Sequence, residues 1–248
     1  MVKITFLGTN GWFDSNTGST TSILIEHKEY YIILDAGNGI SKLSQYVSYN
    51  KPVYLFLSHF HMDHISGLHT LYMNRFLKGL YIIVQEGGTE ILKLIINAPF
   101  TVPIEKLPFN TQIIEVCENI KKLPFKATFL PLVHTTFTLG ARLEIENRVI
   151  TYCTDTSYCD NAVTLAQNAD VLIAECSMRP NEVTDANIHL NPELSAKIAK
   201  VSGAKKLILM HFDASRYVDM ESRIQAEMSA KEIFKYSSAS WDGFNVEV

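Results

Sequence analysis

Apolar residues in this chain gather into short runs separated by polar, glycine- or proline-bearing segments, a spacing that predicts strands interleaved with helices. Residues 2–7 alternate and meet Gly8-Thr9-Asn10-Gly11, which reads as a plain hairpin turn, with backbone N–H groups turned to a ligand as the alternative. Segments 20–25 and 30–34 predict two strands across the charged turn Glu26-His27-Lys28-Glu29, where His27 is expected to be solvated. The unbroken run Val53-Tyr54-Leu55-Phe56-Leu57 behind Pro52 predicts a buried strand. Helical spacing marks 40–47 and 65–77. In the latter, Ile65, Leu68, Leu71 and Tyr72 share a face, and His69 is expected at the surface or in the core.

Further along, strands are predicted at 80–84, 113–116 and 127–131, with a helix over 89–96 and prolines at 99, 103 and 108. Segments 142–145 and 149–153 form a hairpin through Glu146-Asn147-Arg148. Strands 171–174 and 207–210 flank a helix over 192–201, opened by Pro192 and followed by Gly203. A long helix over 220–234 and a strand over 243–248 complete the pattern. No linker-like or low-complexity stretch interrupts it, so residues 1–248 read as a single α/β domain whose two halves resemble a weak internal duplication.

Composition narrows the picture only a little. A hydrophobic fraction of 47% with 19% charged residues suits a soluble globular enzyme, and 248 residues can bury a substantial core. The formal net charge of −4 supplies no global basic field, which disfavours a partner held by nonspecific phosphate attraction. Lys121, Lys122 and Lys126 form a small basic cluster expected to be a solvated face. Cys117, Cys153, Cys159 and Cys176 make no C-x-x-C pair, which points to free thiols. With no apolar leader or spanning run at hand, a cytoplasmic protein is expected.

Chemistry is concentrated where the strand at 53–57 ends, in Ser58-His59-Phe60-His61-Met62-Asp63-His64. Three of the eight histidines fall here. In His59-x-His61 both rings leave an extended backbone on one side and can reach one ion, while Asp63 and His64 can point to a second. Three further candidates, His134, Asp155 and His211, each close an apolar strand, the position at which open α/β sheets build their sites. Asp35, in Asp35-Ala36-Gly37-Asn38-Gly39, is either a helix cap or an acceptor for the second N–H of a ligand histidine.

The H-x-H-x-D-H run, with its later His, Asp and His, resembles the metallo-β-lactamase superfamily over most of the chain. The resemblance implies a four-layer αββα sandwich of two similar halves with a dinuclear site at one edge. It assigns His59, His61 and His134 to one metal and Asp63, His64 and His211 to the other, with Asp155 bridging. Two zinc ions are expected, with Mn2+ or Fe2+ as alternatives, and a zinc-bound hydroxide as nucleophile.

His189 and the run His211-Phe212-Asp213-Ala214-Ser215-Arg216-Tyr217 are similar to the tRNase Z branch. There, an extra histidine assists leaving-group protonation and the motif aspartate, here Asp63, takes part in proton transfer. Arg216 is a candidate phosphate contact, with a surface salt bridge as its other reading. His189 is catalytic or simply part of a helix N-terminal region.

Two departures matter. Asp155 follows His134 by 21 positions, enough for one hairpin but not for the long arm with which tRNase Z grips tRNA. The acid supporting the extra histidine is expected to be replaced, with Tyr152 three positions before Asp155. Ala174-Glu175-Cys176-Ser177 keeps only the glutamate of the family's H-E-A-T stretch. The expectation is a phosphodiesterase for a small phosphodiester or nucleotide rather than tRNA, with a homodimer as a mild expectation from the family. The alternatives are hydrolysis of a carboxyl ester, thioester or lactone on the same site and, behind it, a non-catalytic metal-stabilised interaction module.

Overall fold

The structure, a computed structural model, describes residues 2–116, 122–182 and 188–248. Cys117 and Lys121 lie outside the described residues. In chain order the strands are β1 (Lys3–Gly8), β2 (Asn10–Gly11), β3 (Ser22–Glu26), β4 (Tyr31–Leu34), β5 (Val53–Phe56), β6 (Leu80–Val84), β7 (Thr111–Glu115) and β8 (Lys126–Leu132). They continue with β9 (Thr138–Ile145), β10 (Arg148–Cys153), β11 (Val171–Glu175), β12 (Leu207–Met210), β13 (Phe212–Asp213), β14 (Ser237–Ala239) and β15 (Asn245–Glu247). The helices are α1 (Met62–Ile65), α2 (Gly88–Ile95), α3 (Asp160–Leu165), α4 (Pro192–Ser202) and α5 (Met220–Ile233).

One sheet of seven strands runs β15-β1-β3-β4-β5-β6-β7 and another of six runs β14-β12-β11-β10-β9-β8. Alternation sets what each face meets. In β5, Tyr54 and Phe56 join Ile173, Ile208 and Met210 of the opposite sheet in the central core, while Val53 and Leu55 face an outer cluster with Leu68 and Leu92. In the second sheet Leu172, Ala174, Leu207 and Leu209 turn outward against Ala196, Ala199 and Ala226 of α4 and α5. Both faces are therefore covered, which is why these strands read as unbroken apolar runs. The layers are helix, sheet, sheet, helix, the expected αββα sandwich.

Within the first sheet β4, β5 and β6 are parallel, and within the second β10, β11 and β12 are parallel. Their C-terminal ends meet at one edge of the sandwich, and the candidate chemistry sits there.

Several local expectations are corrected. The segment 65–77 is not one amphipathic helix but a short 3-10 helix, Ser66–Met73, behind α1. Gly67 is pinned by its N–H to the Ala36 carbonyl at 2.8 Å, and a Cβ there would meet the Gly37 carbonyl at 2.3 Å. That contact welds the turn to the end of β4. The segment 40–47 is likewise a 3-10 helix, Asn38–Gln45.

His27 is buried rather than solvated. Its ring packs tilted against Tyr30 with centroids 4.2 Å apart and Nε2 lies 3.2 Å from Glu146 Oε1, because the turn folds against the β9–β10 turn. Helix α3 and the small-residue strand β14 gave no periodic signal. Cys153 and Cys176 are buried free thiols, and Cys159 is free and half-buried. Among the described residues no helix is long and apolar enough to cross a membrane.

Candidate metal centre

Strand ends deliver much of the candidate chemistry. Asp35 follows β4, His59 follows β5, Asp155 follows β10, Glu175 closes β11 and His211 follows β12. Donor atoms of His59, His61, His134 and Asp155 lie within 4.8 Å of one another, and so do those of Asp63, His64 and His211. Asp155, His189 and His211 make a third such group. The backbone is bent to achieve this. Asp35 (φ 59°), Asp155 (φ 47°) and His211 (φ 54°) adopt left-handed conformations, each costing on the order of 1–3 kcal/mol.

Hydrogen bonds fix which ring nitrogen of each buried histidine carries the proton. Asp35 Oδ2 accepts from His64 Nδ1 at 2.7 Å, from Tyr152 Oη at 2.7 Å and from Ser58 Oγ at 2.8 Å, while Oδ1 accepts Ser58 N–H at 2.7 Å. Since Ser58 gives its proton to Asp35, its oxygen accepts from His59 Nδ1 at 3.0 Å. The same arrangement recurs across the cleft, where Ser177 donates to the His211 carbonyl at 3.1 Å and accepts from His211 Nδ1 at 3.0 Å. In their neutral form all three rings therefore present a bare Nε2 to the centre. Asp35 is the outer acceptor, not a helix cap, and it serves two histidines.

These lone pairs crowd together with carboxylate oxygens. His64 Nε2 faces His211 Nε2 at 3.0 Å. Asp155 Oδ2 lies 3.0 Å from the first and 3.3 Å from the second, and Asp63 Oδ2 lies 3.2 Å from His211 Nε2. On the other side Asp155 Oδ1 faces His59 Nε2 at 4.0 Å and His134 Nε2 at 3.8 Å. His134 Nε2 in turn lies 3.3 Å from His61 Nδ1. His59 Nε2 is buried with no hydrogen-bond partner. Burial, and next to it the His64 ring, push the His59 pKa down to about 2, so this nitrogen stays a lone pair. Acceptors crowded against acceptors need a cation or protons between them, and imidazole and carboxylate donors suit a divalent metal. The residues fit the implied metals.

Burial opposes charging His64, but Asp155, Asp63 and Asp35 together hold its pKa well above the ordinary value. Asp63 moves the other way: against the effect of burial, the His64 and His211 rings hold its carboxyl below the usual range.

His189 stands beside this cluster, its ring centroid 5.1 Å from that of His134. Its Nδ1 lies 2.8 Å from Glu175 Oε1, and Glu175 also accepts Thr156 N–H at 2.7 Å and Ser177 N–H at 3.2 Å. Burial pulls the ring's pKa down, yet the Glu175 carboxylate outweighs it and raises the pKa to about 9. The supporting acid is thus present as Glu175. Tyr152 does not replace it but donates to Asp35 instead. The sequence held the signal in the retained glutamate of Ala174-Glu175-Cys176-Ser177.

Arg216 does not line the cavity at this centre. Its guanidinium is taken up by Glu182, 3.0 Å from Nε, and by Asp213, so the salt-bridge reading describes it. His69 is exposed and bonds Ser66 O through Nδ1 at 2.6 Å. The Gly8–Gly11 stretch is not a plain turn: Gly11 lies against the His211 ring, with 2.6 Å from a built Cβ to Cε1, and Trp12 N–H donates to Asp63 Oδ2 at 2.8 Å. A cavity of about 390 Å³ opens above the cluster, lined by Trp12, Met62, Thr135 and Ile188 besides the histidines and carboxylates.

Known proteins place this geometry. A family model described as "Beta-lactamase superfamily domain" matches residues 30–212. The probable metallo-hydrolase YhfI of Bacillus subtilis is 27% identical over 215 residues, covering 85% of this chain and 86% of that one. A crystal structure of YhfI superposes with a TM-score of 0.83 at 25% identity over 100% of this chain and 99% of that one. Ribonuclease Z of Bacillus velezensis is 23% identical over 306 aligned positions, covering 100% of this chain and 99% of the relative. The short form of human tRNase Z shares the fold at 19% identity, with a TM-score of 0.77 over 99% of each chain. The chain belongs to the β-lactamase superfamily, as a hydrolytic enzyme of the metallo-β-lactamase fold.

Proposed function

We propose that the chain is a phosphodiesterase working with two zinc ions on a small phosphodiester or nucleotide. His59, His61 and His134 would hold one ion and Asp63, His64 and His211 the other, with Asp155 shared between them. The same donors accept Mn2+ or Fe2+. When bound, such a cation pair supplies Lewis-acid charge neutralisation and a water acidic enough to act as nucleophile near neutral pH.

The observation that carries the phosphodiester reading is His189 on Glu175, facing the same cavity. The Glu175 carboxylate favours the protonated ring and takes up Nδ1, which leaves Nε2–H to donate. As water attacks phosphorus and the P–O bond opens, that proton passes to the departing alkoxide. Asp63, its Oδ2 fixed by Trp12 N–H, takes the proton that the attacking water loses. A thioester, whose thiolate departs without a proton, places no comparable demand on a protonated imidazole at this spot.

Substrate size follows from charge. None of the ten residues lining the cavity is lysine or arginine among those described. The β9–β10 hairpin closes tightly between Ile145 and Arg148, with no arm between His134 and Asp155. A long RNA finds no cationic track here, and RNA named in relatives such as ribonuclease Z does not transfer as substrate.

The test uses metal-loaded protein, with chelator as control, on bis(p-nitrophenyl) phosphate and on the dinucleotide uridylyl-adenosine. The first leaving group needs no proton; the second does. His189→Ala is expected to lose roughly 10²–10⁴-fold in kcat on the dinucleotide, far less on the nitrophenyl diester, with metal content retained. Turnover of carboxyl esters or thioesters, without metal-dependent diester cleavage, would replace this reading with the acyl one.

A further inference from the structure

Trp12 is the largest apolar side chain at the cavity mouth, and its surroundings are hard to account for by packing. It is 67% exposed, and Met62, also a cavity residue, is 69% exposed. Single exposed apolar residues are ordinary on protein surfaces. This one is held in place at a conformational cost. Its φ is +70°, an outlier for a bulky residue, and Phe13 N–H reaches Gly11 O at 3.0 Å, so Trp12 is the central residue of a strained γ-turn.

Two anchors hold that turn. Trp12 N–H is bonded to Asp63 Oδ2. Behind it, buried Arg223 donates to Thr9 Oγ1 at 2.9 Å and to Asn10 Oδ1, while Asn10 Nδ2 ties Phe13 O at 3.3 Å and Gly18 O at 2.9 Å. A strained, doubly anchored turn that sets an indole over a catalytic cleft has the character of a ligand clamp. Because lysine and arginine are missing from the described lining, affinity beyond the reacting phosphate must come from apolar or stacking contact.

We propose that Trp12 is a specificity residue whose indole stacks on the nucleobase of a small nucleotide, the phosphate lying on the Asp63–His189 side of the same cavity. The inference rests on the phosphodiesterase reading and names its substrate class. Base–aromatic stacking of this kind contributes roughly tenfold to a hundredfold per base.

Thymidine 5′-(p-nitrophenyl phosphate) and methyl p-nitrophenyl phosphate release the same p-nitrophenolate and differ only in nucleoside against methyl. The ratio of their kcat/KM values is expected to fall at least fivefold in Trp12→Leu, through KM, and to be restored in Trp12→Phe, which keeps a flat ring. A smaller fall in Trp12→Leu overturns the proposal.

A second measurement leaves Trp12 in place. The chain has two tryptophans, so in Trp241→Phe the emission belongs to Trp12 alone. Saturable quenching of that emission by adenosine 5′-monophosphate is expected, and its absence overturns the proposal. Should the unaltered protein cleave neither diester, the phosphodiesterase reading fails and the quenching alone decides whether Trp12 stacks on a base.

Discussion

Two buried carboxylates, Asp35 in the first half and Glu175 in the second, each sit behind a histidine, and they do opposite things. Asp35 accepts from His64 Nδ1, whose other nitrogen faces the donor cluster, so its charge makes that nitrogen a stronger donor to a cation. Glu175 accepts from His189 Nδ1, on a ring that lines the cavity, and its charge favours a proton on that ring. One pairing makes a ligand and the other makes an acid. What distinguishes them is the company of the far nitrogen, not the carboxylate itself.

Removing Asp35 should do the most damage. Asp35→Ala strands Ser58 N–H, Ser58 Oγ–H, His64 Nδ1–H and Tyr152 Oη–H in a buried site, a loss of about 3–5 kcal/mol. Thermal unfolding is expected to report that loss, and equilibrium metal titration a roughly 10–100-fold weaker affinity. Unchanged metal affinity would break the comparison, since Asp35 would then not govern the ligand nitrogens.

Glu175→Gln should spare metal content and strike catalysis instead. A general acid must be protonated, so dinucleotide cleavage persists below the His189 pKa and is lost as pH rises through it. With the carboxylate gone, the pKa falls from about 9 toward that of an ordinary histidine. The alkaline limb of the kcat profile should therefore move to lower pH. An unmoved limb would mean that Glu175 only positions the ring. Smallest of the three, Tyr152→Phe removes one of four hydrogen bonds to Asp35 and should cost about 1 kcal/mol in denaturant unfolding, with metal binding near that of the unaltered protein.

The donors were legible because strand ends are legible: His59, His134, Asp155 and His211 each follow an apolar run, and β6 and β12 have the bounds their hydropathy predicts. Contacts between distant segments were not. Tyr152 reaches Asp35 from the opposite sheet across 117 positions, and nothing local in either residue announces it. His27 looked solvated because its four-residue turn is charged, yet Glu146 of another hairpin covers it. Trp12 escaped notice for a related reason. Its placement depends on a bond from its own backbone N–H to the Asp63 side chain, 51 positions away.

The short parallel pairing of β2 with β13, Asn10 with Phe212 and Gly11 with Asp213, has a consequence for synthesis. It seats the loop bearing Trp12 beside His211, and no segment made earlier can stand in for β13. A chain emerging from the ribosome has displayed His59, His61 and His64 long before His211 exists. Until residue 213 is out, that histidine cluster lacks both its last donor and the strand that seats the Trp12 loop beside it. The full donor set thus waits for nearly the whole sequence, and a half-made chain exposes the His59 and His64 imidazoles that the finished molecule buries.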